Sequence, residues 1–248
     1  VLAEADEKIN IINTAFTIDE SAQAIVEIQE AKLFHNNKRW TNDKRNGNPT
    51  LVVGSTSDFA FSNLNFMSET SFITADASQK GNDAFSVDVK LSNVYMNDLL
   101  SFQNDNWEGV VNGFLNIRQT PSGFGGNSRL QLSDLSLNGV YLGEADLRLQ
   151  SNKENQDYQL ALQIIDDGND VFLATGTIGI ENAVPNWDID LTFLDYNLSL
   201  IAGLTNDVFT PFQGKANGNL HLSSNAGKII PKGEFIVDDF TMGVPYLN

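Results

Sequence analysis

Apolar and polar residues alternate along most of this chain with a period of two. The run from Phe85 to Leu91 is the clearest, with four apolar residues separated by single polar ones. Successive side chains of a β-strand point to opposite faces, so each such run is typical of a strand with one apolar face. Further runs of this kind span residues 147–149, 160–164, 178–180, 189–193 and 220–222. Turn-forming clusters separate the runs, and the pattern predicts an all-β, antiparallel-rich sheet with few or no helices.

Three segments depart from this pattern. Residues 97–102 and residues 199–204 each predict one short helical turn. The segment from Glu20 to Leu33 suits either a helix face or a strand, because its apolar residues fit both periods. We expect tertiary pairing to decide which of the two it forms.

An internal repeat adds a second level of order. Aligning Gly109 with Gly214 gives an offset of 105 residues, and the same offset aligns Gly113 with Gly218. The alignment continues without gaps as far as Leu247. A repeat of this length holds several strands, and stacked copies predict a sheet whose terminal units need neighbours to cover them.

Both copies of the repeat share a change of apolar phase. Leu132 is followed by the next inward residue at Leu135, and Val237 is followed in the same way by Phe240. A one-residue slip turns side chains to the other face of a sheet unless a bulge absorbs it. The shared slip therefore predicts a bend at the same place in both copies.

The composition narrows the range of partners. Asp and Glu number 32 against 15 Lys and Arg, which gives a formal net charge of −17. Nucleic acids and anionic headgroups both attract basic surfaces, so the charge argues against binding to either of them. The chain has no cysteine, which excludes disulfides and thiol chemistry. No apolar run reaches the roughly 18 residues that a membrane span requires.

We expect one continuous β body that is a fragment of a longer chain. Residues 1–50 are predicted to be an N-terminal segment joining a preceding repeat. Residues 51–150 and 151–248 are predicted to form the first and the second β-repeat unit. We interpret both ends as cut points inside the parent protein.

The glycine-centred unit resembles a known family. Its two copies, starting at Glu108 and Gln213, read EGVVNGFLNI and QGKANGNLHL. They are similar to the G-x-x-x-G-x-L-x-L signature of TamB-type proteins and their AsmA-like relatives. The segment from Pro231 to Asn248 is similar to the family's ending, in which P-x-G and a hydrophobic residue precede a final y-L-N. The first copy departs from this pattern, because Ser128 and the three residues after it stand where P-x-G is expected.

The resemblance implies a fold, a location and partners. The fold would be an elongated, curved sheet of repeated strand units, shaped like a half-pipe or β-taco, with an apolar interior. The location would be the periplasm of a diderm bacterium, in a parent protein that bridges the cell envelope. A missing N-terminal anchor would hold it in the inner membrane, and a missing C-terminal part would meet an outer-membrane assembly barrel. Such a protein would carry lipids between the two membranes and contribute to outer-membrane protein assembly, without a cofactor.

Physical reasoning from the residues leads to the same kind of site. A sheet with one apolar face must cover it with a second sheet, a helix or a ligand, and the sequence supplies no long amphipathic helix. A curled sheet could hold phospholipid acyl chains, with about 0.8 kcal/mol gained per buried CH₂. Residues that pack together in a closed sandwich would alternate in the same way, so the pattern leaves both arrangements open. The candidate groove-lining residues are Val87, Val89, Leu115, Ile117, Leu162, Ile164, Leu191, Phe193, Leu220 and Leu222.

We predict that the chain is not an enzyme and holds no metal. His221 alternates with leucines and points away from their face, and His35 falls in a predicted loop. The segment from Asp166 to Asp170 lacks the spacing and the closing Glu of a calcium loop and reads as a hairpin turn. Asp188 and Asp190 are predicted to be solvated strand residues. Four basic residues form the one cationic cluster, predicted to be a solvated loop: Lys38, Arg39, Lys44 and Arg45.

A secreted β-sandwich or solenoid binding module is the alternative hypothesis, in which the protein acts as an adhesin or binds polysaccharide. Such a module needs exposed aromatic side chains on one flat face. The candidate platform residues are Trp40, Trp107 and Trp187.

Overall fold

The structure, a computed structural model, describes ten segments of the chain. They are residues 10–45, 47–54, 58–81, 84–100, 106–120, 123–152, 157–181, 184–199, 212–225 and 228–242.

Fifteen strands and one five-residue helix make up the described chain. The strands are β1 (Ile11–Ile18), β2 (Ala24–His35), β3 (Lys38–Asn42), β4 (Thr50–Val53), β5 (Phe59–Ser68), β6 (Ser71–Lys80), β7 (Ala84–Tyr95), β8 (Trp107–Thr120), β9 (Gly123–Leu137), β10 (Val140–Asn152), β11 (Asp157–Asp166), β12 (Asn169–Glu181), β13 (Val184–Asn197), β14 (Phe212–Asn225) and β15 (Lys228–Met242). The helix α1 spans Met96–Leu100, between β7 and β8.

The strands form one antiparallel sheet in which chain order and spatial order nearly coincide. The order is β1-β2-β3-β5 and then each strand in turn to β15, while β4 pairs with both β2 and β5. The predicted all-β sheet of repeated strand units is therefore confirmed. Residues 24–33 of the ambiguous segment lie in β2, which pairs with β1, β3 and β4.

Several hairpins turn on two residues that share the left-handed conformation. Asn138 and Gly139 have φ values of 52° and 79°, and Asp167 and Gly168 have values of 49° and 77°. A two-residue turn of this type matches the right-handed twist of the strands it joins, and Asn-Gly and Asp-Gly are its preferred sequences. The prediction of a hairpin turn within residues 166–170 is confirmed.

Five strands contain an Asn or Asp in the left-handed conformation, where short polar side chains are tolerated better than other non-glycine residues. These residues are Asn63, Asn93, Asp134, Asp195 and Asp239. On β5, β9, β13 and β15 the register of the pairing shifts beside them. Such shifts mark bulges, which bend a strand and increase its twist.

The 105-residue repeat is visible in the strands themselves. β8 begins at residue 107 and β14 at residue 212, while β9 begins at 123 and β15 at 228. Each of these strands has the same length as its equivalent. The predicted phase change falls on bulges at Asp134 and Asp239, whose φ values are 52° and 53°. The repeat therefore reproduces backbone geometry and not only residue type.

Contacts between residues divide the chain into two compact units. Unit 1 consists of Val1–Val94 with Phe114–Ser122, and unit 2 of Tyr95–Gly113 with Gly123–Asn248. The predicted segments 1–50, 51–150 and 151–248 concern the repeat and stay a prediction. Residues 1–9 and 243–248 lie outside the described part of the chain, as do residues 200–204 of the second predicted helical turn.

Candidate functional site

Three rows of apolar residues cross unit 2 at right angles to its strands. Residues that are direct partners in neighbouring antiparallel strands share a face, so the register defines each row. We call the three rows together the second apolar face. The first row is Leu130, Leu147, Leu162, Ala174, Leu191, Leu220 and Gly233; the second is Leu132, Ala145, Ile164, Phe172, Phe193, Gly218 and Phe235; the third is Ser128, Leu149, Leu160, Gly176, Ile189, Leu222 and Pro231.

No position in these three rows of seven is charged, and Ser128 is the one polar residue among them. The intervening residues face the other way and are mostly polar. They form cross-strand contacts such as the hydrogen bond from Thr192 Oγ1 to Asn219 Oδ1, at 2.9 Å. Chance would not keep charge off one side of seven strands in a chain with this many acidic residues, so the two faces have distinct chemistry.

All six residues predicted for the groove in unit 2 belong to the second apolar face. They are Leu162, Ile164, Leu191, Phe193, Leu220 and Leu222. Each of them is half-buried. In a closed sandwich the centre of such a face would be fully buried beneath a second layer. The described ranges contain no long helix that could cover these residues, since α1 has five residues.

Unit 1 has its own apolar rows, which we call the first apolar face. One row consists of Phe16, Val26, Leu51, Phe61, Ala77 and Val87, and the other of Ile18, Ala24, Val53, Phe59, Gln79 and Phe85. Neither row contains a charged residue.

The remaining four predicted groove residues share one face of unit 1. Val87 and Val89 alternate with Asp88, whose carboxylate accepts a hydrogen bond from the Asn116 side-chain amide. Because Asp88 and Asn116 meet on the polar side, their neighbours in sequence point to the apolar side. Val87, Val89 and Leu115 are half-buried, while Ile117 is 40% exposed. The structure thus brings each predicted set together within its own unit.

Four aromatic rings, three from the second row and one just beyond it, form a cluster that was not predicted from the sequence. Phe172 and Phe193 meet edge to face with centroids 5.2 Å apart, and Tyr196 lies 5.9 Å and 5.8 Å from them. Phe235 stacks on Phe193 at 6.2 Å. These separations are those of favourable aromatic pairs. The cluster unites residues from three strands, so only the register could have revealed it.

Along the strands, tyrosine and tryptophan residues lie beyond the three rows at both ends. Tyr158 and Trp187 each pair with Ile178, one residue pair beyond the third row. The Tyr158 hydroxyl donates a hydrogen bond to the Gly125 carbonyl oxygen at 3.2 Å. Tyr196 lies beyond the second row, opposite Ala216. Burial raises the pKa of both tyrosine hydroxyls, so both phenols are neutral at physiological pH.

The polar face of unit 2 carries the charged groups. Asp146 accepts hydrogen bonds from Arg148 Nε at 2.8 Å and from Arg129 Nη2 at 2.6 Å. These two guanidinium groups hold the pKa of Asp146 below its ordinary value, and the hydrogen bond from Arg148 has the larger effect. On the same face, His221 Nδ1 lies 2.9 Å from Asp190 Oδ1, where both side chains are exposed.

The residues considered above as candidates for catalysis or metal binding lie on the strands and turns of the sheet. His35 ends β2 and is exposed beside a two-residue turn, rather than in the longer loop that was predicted. Asp188 and Asp190 are exposed on the polar face, as predicted. Arg45 binds Asp43 at 2.6 Å and lies 5.8 Å from the ring centroid of Phe72. The part of the chain that the structure describes contains no group of His, Cys, Asp and Glu that could hold a metal.

The three tryptophans do not form an exposed platform. Trp40 is 6% exposed and pairs with Leu33 in the interior of unit 1. Trp107 and Trp187 are half-buried on β8 and β13. Trp40 is therefore not part of an exposed surface, whereas Trp107 and Trp187 each keep part of their surface accessible.

No described helix is both long and apolar enough to cross a membrane. The chain matches no protein-family model, no curated protein and no solved structure.

Proposed function

We propose that this chain is a segment of a periplasmic bridge protein that carries lipids between the inner and outer membranes of a diderm bacterium. The second apolar face supports this proposal most directly. It offers three rows of uncharged residues, in which all the leucines are half-buried while Ala145, Ala174 and Ile189 are buried. Partly covered apolar surface of this extent is typical of surfaces that bind another apolar body.

The direction of the rows suits an acyl chain. The rows run across the strands, and seven strands at about 4.8 Å spacing extend over roughly 29 Å. A hydrocarbon chain lying along a row would meet an apolar side chain at nearly every strand.

The energetics favour lipids with two chains. A single myristoyl chain binds a bilayer with an association constant of only about 10⁴ M⁻¹, so one chain on a half-open face would exchange quickly. Two chains roughly double the apolar area buried and hold the lipid through purification. Headgroups would stay in water, which fits a face that offers no charged partner for them. The same property predicts weak discrimination between headgroups.

In this proposal the movement is passive, because the apolar faces contain no group that could drive it. The anchor in the inner membrane and the contact with an outer-membrane assembly barrel would belong to other parts of the parent protein. Any contribution to outer-membrane protein assembly would act through those parts.

The first test is native mass spectrometry of the purified chain in detergent-free buffer, combined with lipid extraction. We expect a population heavier than the 27.2 kDa chain by the mass of a phospholipid with two acyl chains. Lipid in the extract must match the added mass. A single population at the apo mass, unchanged after incubation with phospholipid vesicles, would contradict the proposal.

A second test compares two charge insertions at neighbouring residues of β14. Leu220→Asp puts a carboxylate on the second apolar face, and Asn219→Asp puts one on the polar face without changing side-chain size. We expect Leu220→Asp to abolish crosslinking of a photoreactive acyl chain and Asn219→Asp to leave it unchanged. Circular dichroism confirms that both variants are folded. Equal crosslinking in both would show that acyl chains do not use this face.

A further inference from the structure

On the polar face of unit 2, two arginines lie directly opposite each other in neighbouring strands. Arg129 of β9 pairs with Arg148 of β10, and both guanidinium groups bind the carboxylate of Asp146. Like charges directly across an antiparallel pair destabilise it. Because two cations share one anion, a positive charge is left uncompensated at this point of a chain whose formal net charge is −17. Such a local conflict is typical of functional sites.

Part of each guanidinium group is left for a ligand. Nε and Nη2 of both arginines point to Asp146, at distances from 2.6 to 3.3 Å. Within the described segments, Nη1 of Arg129 and Nη1 of Arg148 make no hydrogen bond, and the two side chains are 43% and 57% exposed. Their N–H groups are therefore donors that a molecule from solvent can reach.

Carboxamide side chains surround the arginine pair. Alternate residues of a strand share a face, so the register places nine polar-face residues of β9, β10 and β11 in a block of three by three. We call this block the amide patch, and it measures about 10 Å across the strands and about 14 Å along them. Its members are Asn127, Arg129 and Gln131 on β9, Asp146, Arg148 and Gln150 on β10, and Gln159, Ala161 and Gln163 on β11.

Most of these carboxamides are uncommitted. Gln163 donates a hydrogen bond to Asp170. Four others are exposed and make no side-chain hydrogen bond within the described segments, namely Asn127, Gln131, Gln150 and Gln159. A carboxamide offers both a donor and an acceptor, which are the two functions that a hydroxyl group pairs with. The amide patch thus combines cationic donors at its centre with neutral hydrogen-bonding groups around them.

The charges around the amide patch limit the size of an anionic ligand. Glu144 lies two residues from Asp146 on β10, and Asp188 and Asp190 are exposed on the same face at β13. These carboxylates and the net charge of the chain repel an extended polyanion. A single carboxylate is different, because it can pair with the planar guanidinium groups of both arginines at once.

We propose that the amide patch binds a carboxylated sugar, such as a uronic acid. The carboxylate accepts hydrogen bonds from Nη1 of Arg129 and of Arg148, and the ring hydroxyls pair with the surrounding carboxamides. Ala161, opposite Arg148, is the one small side chain of the patch and leaves space beside the guanidinium group for the sugar ring. This inference does not depend on lipid binding, since the amide patch and the second apolar face lie on opposite faces of the sheet.

The test is a titration of the full ¹⁵N-labelled chain with sodium glucuronate at constant ionic strength, monitored through the side-chain NMR signals of the arginines and carboxamides. We expect saturable shifts of the Arg129 and Arg148 signals. Acetate lacks the hydroxyl groups and glucose lacks the carboxylate, so each should bind more weakly than glucuronate by about fivefold or more. Equal affinity for acetate and glucuronate, or the absence of a saturable shift, overturns the proposal.

Three variants locate the site. Arg148→Gln removes one guanidinium group and should weaken glucuronate binding about tenfold. Gln150→Ala should weaken it about threefold and leave the affinity for acetate unchanged. Lys232→Gln removes a cation from the same face on β15, outside the amide patch, and serves as the control with unchanged affinity. Circular dichroism confirms that the variants are folded. Equal affinities of Arg148→Gln and Lys232→Gln for glucuronate would overturn the assignment to this patch.

Discussion

The pairs β8–β9 and β14–β15 are two versions of one unit with different surroundings. Their strands have the same lengths, and Gly113 and Gly218 have φ values of 143° and 144°. Their exposure differs sharply, since Leu135 in β9 is 7% exposed and its equivalent in β15, Phe240, is 50% exposed. Backbone geometry is therefore encoded within the unit, and burial is supplied by the next strand. This is the behaviour of a quasi-one-dimensional repeat protein.

The largest effect that separates the two copies should come from removing a buried side chain. Leu135→Ala creates a cavity in unit 2 and should lower the free energy of unfolding by about 2–5 kcal/mol. Phe240→Ala, at the equivalent position, removes a side chain that is half in water, and we expect a loss of about 1 kcal/mol or less. Urea unfolding monitored by circular dichroism measures both values. Similar losses for the two variants would mean that β15 is covered in solution.

A smaller difference in stability is expected at Gly113 and Gly218, which are equivalent in the repeat and have the same backbone conformation. An added Cβ would collide with the backbone of the neighbouring strand at Arg129 or Glu234, and neither φ suits an L-residue. Gly113→Ala and Gly218→Ala should each destabilise the chain by more than about 1 kcal/mol. We expect the larger loss at Gly113, because β9 is held by β10 and cannot shift away from the new methyl group. Gly139→Ala, which also has a positive φ but no atom within 4 Å of the new Cβ, serves as the control for backbone strain without a collision.

The smallest effect concerns charge on the polar face. Asp146→Asn removes the negative charge that β10 offers to Arg129 and Arg148. Both cations are substantially exposed, so the loss at neutral pH should stay below about 1 kcal/mol. The pKa of Asp146 is lowered by folding, so its contribution is present above the ordinary aspartate pKa and disappears as the pH falls through the folded value. Unfolding free energies of the two proteins should therefore converge in acid. A gap that persists unchanged down to the lowest pH at which both proteins stay folded would assign the effect to packing.

Much of the fold followed from local sequence. The alternation between Phe85 and Leu91 predicted β7, and the phase change at Leu132 and Leu135 predicted a bend where the structure has the bulge at Asp134. Such features depend on only a few neighbouring residues, so they can be predicted from the sequence. The segment from Glu20 to Leu33 was undecided because only its pairing with neighbouring strands selects the extended form.

The candidate site could be predicted in part. Alternation was enough to place the predicted groove residues on one face of each unit, because side-chain direction in a strand is a local property. The burial of each side chain was not predictable, since it depends on which strands lie next to its own. Trp40 shows this well: the sequence suggested an exposed platform, whereas pairing with Leu33 buries it. The Phe172, Phe193, Tyr196 and Phe235 cluster depends on register across several hairpins, which spacing in the sequence does not fix.

From β5 onward each strand pairs with its immediate successor in the chain, and this order affects how the protein can change over evolutionary time. A hairpin of two strands contacts only the strands on either side of it. Duplication or loss of one hairpin would therefore preserve the antiparallel alternation and keep every apolar side chain on its original face. Loss of a single strand would reverse the direction of everything after it. The protein can thus vary its span in steps of two strands, about 10 Å each, without redesigning a core.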